Sequence, residues 1–155
     1  MEKGALLSIY SVFLIGFFLI LFSCTNNNEE IIMSEINVIP KPAKTILKDG
    51  FVDLKNVNGI LLASGSEAET AIANMVKRFL SPVKDLSIRT GGGSPNSLFI
   101  KIDSDLSLGE EGYNLSINTN NSIEIKSISY AGLFYGYQTF RQICEPELES
   151  GKNQE

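Results

Sequence analysis

Histidine and tryptophan are absent from the sequence, and cysteine occurs only twice in 155 residues. Without histidine there is no Ser–His or Cys–His nucleophile pair and no imidazole ligand for a metal. Without tryptophan the best platform for stacking a sugar or a base is missing. Basic residues are also scarce. Thirteen Lys plus Arg stand against 18 Asp plus Glu, a net charge of −5. A basic face able to neutralise a run of phosphates cannot be built from that balance, so no nucleic-acid partner is expected. No cofactor is expected either. The length suffices for one domain and is too short for two good ones.

Charge is missing altogether from Gly4 to Ser23, a run rich in Leu, Ile and Phe that follows Lys3 and ends Leu21-Phe22-Ser23-Cys24. A charged tip, an apolar core and a small residue before the cut describe a secretory signal peptide over residues 1–23. About 20 apolar residues would also span a bilayer, so an uncleaved anchor helix is the alternative. Cys24 directly after Leu-x-Ser resembles the lipobox of bacterial lipoproteins, whose cysteine is acylated and becomes the new N-terminus. That resemblance implies an exported chain held to a membrane by lipid on Cys24, periplasmic or at the outer membrane or cell surface. Thr25-Asn26-Asn27-Asn28-Glu29-Glu30 then opens a polar tether over residues 24–35 with no reason to fold. The other cysteine, Cys144, is expected on the buried side of a helix as a small hydrophobe. A Cys24–Cys144 disulfide would suit an oxidising compartment but would consume the lipid site.

From Ile36 onward strands and helices alternate. Ile36–Pro40, Thr45–Leu47 and Phe51–Leu54 read as short strands, the first at an edge because of Pro40. Gly59–Ala63 is a nearly continuous apolar run, as expected of a buried strand. Ser66-Glu67-Ala68-Glu69 matches a capping box, with Glu69 reaching back to the N-cap. The helix it opens carries Ala68, Ala71, Ile72, Met75, Val76, Phe79 and Leu80 on one face, with Glu67, Asn74, Lys77 and Arg78 opposite. Ser81-Pro82 ends it. Strands follow at Leu86–Ile88 and Leu98–Ile102. The triple glycine Gly91–Gly93 between them is a connection and not a phosphate loop, because no Lys-Ser or Lys-Thr follows and no helix opens there. Tyr113, Leu115 and Ile117 alternate with polar residues, and Ile123–Lys126 alternates again after Asn120-Asn121-Ser122, which makes a hairpin. A last helix runs from Tyr130 to about Cys144, with Ser129 as its cap. Gly132 and Gly136 share one side of it, a pattern that invites close approach of another backbone, either this domain's sheet or a neighbouring domain. The fold class is α+β: a mainly antiparallel sheet with two helices packed on one face.

Three stretches point to a family. They are Glu111–Ile117, Ile123–Ile125, and Tyr130-Ala131-Gly132-Leu133-Phe134-Tyr135-Gly136-Tyr137-Gln138-Thr139-Phe140-Arg141-Gln142-Ile143. Together with the opening Val38-Ile39-Pro40-Lys41-Pro42 they resemble the N-terminal domain of glycoside hydrolase family 20, the β-N-acetylhexosaminidases. The resemblance covers about Ile36 to Ile143. It implies a sheet with helices on one face, and it assigns catalysis to a following (β/α)8 barrel. There an adjacent Asp–Glu pair works by substrate assistance, an exception to the two-carboxylate scheme.

The sequence holds no Asp-Glu dipeptide, and a barrel needs about 250 residues. No catalytic residue is therefore expected here. The expected organisation is a signal peptide (1–23), the tether (24–35), the family 20 N-terminal domain (36–144), and a Pro-broken linker (145–155) towards a barrel absent from this chain. Glu110-Glu111 reads as a solvated turn, and Asp103 with Asp105 has too few neighbours for a calcium loop. Tyr130 and Tyr137 fall on the core stripe, whereas Tyr135 is free to face a second domain. Gly132, Tyr135 and Gly136 are the candidate barrel-facing interface. The expected partners are that barrel in cis, a membrane through Cys24, and glycan only through the barrel. The other reading is a stand-alone surface lipoprotein that binds glycan or a protein without catalysis.

Overall fold

The computed structural model describes residues 36–152, so the leader, the tether and Cys24 lie outside the described residues. The described residues build a five-stranded sheet from β1 (Gly59–Leu62), β2 (Ser87–Thr90), β3 (Leu98–Ile102), β4 (Tyr113–Asn118) and β5 (Ser122–Ser127). Helix α1 (Glu67–Leu80) lies between β1 and β2, and α2 (Tyr130–Lys152) follows β5. The spatial order is β2-β1-β3-β5-β4. The α+β class holds, but the sheet is mixed where a mainly antiparallel one was expected. β1 pairs in parallel with β2 and β3, β3 in parallel with β5, and only β4 runs antiparallel, against β5. The reason lies in the connections. A helix between two neighbouring strands returns the chain to its starting end, so β1-α1-β2 must be parallel.

The register sorts the side chains by face. Ile60, Leu98, Ile123 and Ile117 form one cross-strand row, and Leu62, Ile100, Ile125 and Leu115 the next. Both rows lie on the face packed by α1 and α2, where Ile72, Ala73, Val76 and Leu80 of α1 meet Leu133, Tyr137 and Phe140 of α2. Each fully buried Ile or Leu there contributes roughly 1.5–3 kcal/mol. The opposite face carries Arg89, Leu61, Phe99, Glu124 and Ser116 in one row and Lys101, Lys126 and Asn114 in the next. Phe99 is nevertheless buried. The connection from β2 to β3 crosses this face and brings Gly93 onto the ring, so close that a Cβ there would stand 3.2 Å from it.

Helix α1 begins at Ser66, whose hydroxyl accepts from the Glu69 N–H at 3.3 Å. Only that half of the expected capping box forms; the Ser66 N–H goes to the Ser64 hydroxyl. Helix α2 is capped by Ser129, whose hydroxyl accepts from the Gly132 N–H at 3.1 Å and itself donates to the Glu110 carbonyl. The helix does not stop near Cys144. It continues through Pro146, where the linker was expected, although proline forfeits one i→i−4 bond. The apolar stripe explains the continuation: Leu148 stands one turn beyond Cys144 and packs on the same core.

None of the three strands expected between Ile36 and Leu54 forms. Leu54–Asn56 is instead a 3₁₀ turn capped by the Asp53 carboxylate. Pro40 and Pro42 deny ladder donors, and Gly50 has a positive φ of 115°. The segment is pinned by side chains. The Gln142 carboxamide takes both the N–H and the C=O of Ile39 at 2.9 Å, Val38 is buried, and the Asp53 N–H donates to Asn121.

Candidate functional site

Among the described residues the acidic side chains form no catalytic constellation. Glu110 and Glu111 are exposed in the turn before β4. Asp103 is tied to Lys101 at 2.8 Å. That hydrogen bond holds the Asp103 carboxyl below its ordinary value and raises the Lys101 ammonium. Asp105 is exposed. Among the described residues no three His, Cys, Asp or Glu side chains gather as a metal site.

Glu69 is the exception among the described carboxylates, because it is fully buried. Its Oε2 accepts from the Ser64 N–H at 2.9 Å, the Gly65 N–H at 2.9 Å and the Ser64 hydroxyl at 3.1 Å. Its Oε1 accepts from the Ile102 N–H at 3.0 Å, at the end of β3. Burial pushes the carboxyl up, but the Ile102, Ser64 and Gly65 N–H groups with the Ser64 hydroxyl outweigh it, and the net direction is down. Four donors and no reacting partner describe a structural anchor that joins the start of α1 to the far end of a central strand.

Of the expected interface residues, Gly132 and Gly136 close on this domain's own sheet. A Cβ on Gly132 would meet the Ser127 hydroxyl and the Gly112 carbonyl, and one on Gly136 would stand 2.7 Å from Ile125 Cγ2. Only Tyr135 remains at the surface. Tyr130 joins it there, 46% exposed where a core position was expected, because it is the first residue of α2 and stacks on Phe134. Tyr137 is buried as expected, with its ring edge-on to Phe79 at 6.4 Å.

One concave feature of the described residues is an open groove of about 340 Å³ along the outer valley between α1 and α2. Met75, Arg78 and Phe79 form one wall, and Tyr137, Gln138, Arg141 and Glu145 the other. The spacings explain the placement: 75, 78 and 79 share one side of α1, and 137, 141 and 145 one side of α2. Arg141 gives Nε and one Nη to the same Glu145 oxygen, at 3.0 and 2.8 Å. Arg78 makes no ion pair among the described residues. Sequence reading put Arg78 on a polar face and Tyr137 on an apolar stripe. Both helices were expected on one face of the sheet, but nothing in the spacing said which side of each would face the other.

The architecture is that of an α+β domain: one helical layer on a mixed sheet, with no assembled catalytic centre among the described residues. The family model for glycosyl hydrolase family 20, domain 2, matches residues 35–154, and the chain belongs to that family. A beta-hexosaminidase of Porphyromonas gingivalis (strain ATCC BAA-308 / W83) is 30% identical over 137 residues, covering 84% of this chain. The chain spans 17% of that protein's length. Among solved structures, the Streptomyces plicatus N-acetyl-beta-hexosaminidase in complex with Thio-NAglucal is similar with a TM-score of 0.48 and 22% identity. The match covers 56% of this chain and 17% of that one.

Proposed function

We propose that this chain is the non-catalytic N-terminal domain of a β-N-acetylhexosaminidase that removes terminal N-acetylhexosamine from glycans. The barrel of that enzyme does the chemistry, and this domain packs against it and stabilises it. The observation that carries the reading is the family 20 domain 2 match over residues 35–154, which spans every described element. The test is hydrolysis of p-nitrophenyl-N-acetylglucosaminide by the 155-residue chain beside a form extended through the coding sequence that follows. Activity in the extended form alone is the expected result. Activity in the short chain, or unrelated sequence downstream, would overturn the reading.

The same reading makes the protein an exported lipoprotein anchored through Cys24, supported by the run Leu21-Phe22-Ser23-Cys24 at the end of an uncharged segment. Expressed in a bacterial host, the chain should partition into the detergent phase and Cys24→Ser into the aqueous phase. Equal partitioning of the two would refute the anchor.

A further inference from the structure

We infer that the segment from Ile39 to Phe51 rests on an anionic lipid surface and sets how the domain stands on its membrane; the inference deepens the reading of an anchored chain given above. Four of the large apolar side chains exposed among the described residues lie in this one segment: Ile39 (83% exposed), Ile46, Leu47 and Phe51 (85%). Single exposed apolar residues need no explanation, whereas a cluster of them marks a contact. Lys41, Lys44 and Lys48 alternate with them, and Asp49 is the one acid between Ile36 and Val52. The chain as a whole carries −5, so this segment runs against the balance of the molecule. Apolar side chains interleaved with lysines suit the membrane interface. The former enter the acyl boundary while the ammonium groups stay among the phosphates.

The fold gathers the segment at one end of the domain. It is held at Ile39 by Gln142, in the second half of α2. It finishes at the β4–β5 turn, where Gly50 lies against Thr119 and the Asp53 N–H donates to Asn121 at 3.1 Å. The connection from β3 to β4 occupies the opposite end, beside the start of α2, where the Ser129 hydroxyl donates to the Glu110 carbonyl. That connection carries Asp103, Asp105, Glu110 and Glu111 and no basic residue. An anionic surface therefore attracts one end of the domain and repels the other. No strand or helix forms between Ile39 and Phe51, so the backbone groups keep the segment among hydrated headgroups and out of the hydrocarbon. The segment is also the first part of the domain reached from Cys24. Twelve positions separate Cys24 from Ile36, at most about 40 Å of chain. Over that distance, contacts too weak to hold a free protein act within one molecule.

The test exploits the absence of tryptophan from the chain. Phe51→Trp places a lone indole in the segment, and Ser107→Trp places one at an exposed site in the acidic connection at the other end. Each full chain is purified from bacterial membranes and reconstituted into vesicles of phosphatidylcholine and phosphatidylglycerol, with or without bromine on the acyl chains. Emission from Phe51→Trp is expected to shift to shorter wavelength and to be quenched by the bromine, while that from Ser107→Trp does neither. Lys48→Gln in the Phe51→Trp chain should lower the equilibrium constant for insertion about fivefold. An unquenched Phe51→Trp, or equal quenching at the two sites, overturns the inference. Emission that shifts without quenching, in this chain or in the form extended through the following coding sequence, means that protein covers Phe51 and overturns it too. The mass of the purified chain reports separately whether Cys24 is acylated. Lipid on Cys24 with an unquenched indole defeats the surface contact alone, and an unmodified Cys24 with a quenched indole defeats the anchor alone.

Discussion

Replacing Glu69 by glutamine keeps the shape of the side chain and removes one acceptor, which makes it a sharp probe of the fold. The two carboxylate oxygens serve different sets: Oε2 takes Ser64 and Gly65, and Oε1 takes the Ile102 N–H. In Glu69→Gln the single carboxamide oxygen can serve one set only. If it takes the Ser64 and Gly65 donors, the NH2 group faces the Ile102 N–H, donor against donor. One buried donor left unsatisfied costs about 1–3 kcal/mol. The bonds that remain lose their charge assistance, which roughly halves them. A total near 3 kcal/mol follows, and Glu69→Ala should reach about 3–5 kcal/mol. For a domain stabilised by about 0.05–0.15 kcal/mol per residue, that is a large share of the whole. Urea unfolding followed by circular dichroism reads it directly. With a slope of about 1–3 kcal/mol per molar, the glutamine variant's midpoint should fall by roughly 1–3 M. A glutamine variant within about 0.5 kcal/mol of the parent would refute the anchor.

The same carboxylate sets part of the acid response. Its pKa in the fold is lowered from 4.5, so the unfolded chain holds more protons between the two values. Stability from Glu69 is therefore complete above the unfolded value and is lost as pH falls towards and through the folded one. The parent should lose stability on acidification below about pH 4.5, and Glu69→Gln should show a flatter profile over that window. Parallel profiles would mean that Glu69 does not titrate as the structure implies.

Gly132→Ala should be much worse than Gly136→Ala. The first added methyl meets the Gly112 carbonyl, which is backbone, and the Ser127 hydroxyl that bonds it at 2.7 Å; the second meets side chains only, Ile125 Cγ2 at 2.7 Å and Tyr113 at 3.4 Å. About 3 kcal/mol or more is expected at Gly132, and less than about 2 kcal/mol at Gly136, where overpacking is offset by better helix propensity. A reversed order in thermal unfolding would refute the packing of α2 on β5. Gln142→Ala should release Ile39 and speed proteolysis between Ile36 and Gly50, with a stability loss of about 1–2 kcal/mol. Unchanged cleavage rates would show that Val38 alone holds the segment. Tyr113→Phe removes the 2.6 Å bond to the Thr139 hydroxyl and should cost about 1 kcal/mol by urea unfolding; no measurable change would mean that water replaces the bond.

Local patterns were legible and long-range pairings were not. The β4–β5 hairpin follows from alternation around Asn120-Asn121, and α1 follows from its apolar stripe, because both depend on neighbours a few residues away. Strand–helix–strand order over residues 59–90 also carried the parallel arrangement, since a crossover helix leaves no other, yet it was read as part of an antiparallel sheet. The segment before Leu54 fails as strands for a different reason. Its short apolar runs have strand propensity, but Pro40, Pro42 and Gly50 interrupt them, and a strand exists only where a partner edge accepts it. At the other end, Pro146 was given more weight than the stripe that continues from Cys144 to Leu148. Burial of Leu148 offsets the bond that proline removes.

Glu69 shows where local reading stops. Ser66-x-x-Glu69 is a sound capping signature, and Ser66 does cap. Yet position 69 also stands on the line that continues through Ile72, Ala73, Val76 and Leu80, the buried side of α1. A carboxylate on that line must find donors inside the protein or pay for its desolvation. The donor that turns Glu69 inward is the N–H of Ile102, 33 residues away, which no local spacing encodes. The groove obeys the same logic. Arg78 and Tyr137 were each visible as members of a helix face, but they become one surface only because α1 and α2 cover the same side of the sheet. That placement is set by the handedness of the crossover and by the order of the strands, so the surface is a property of topology.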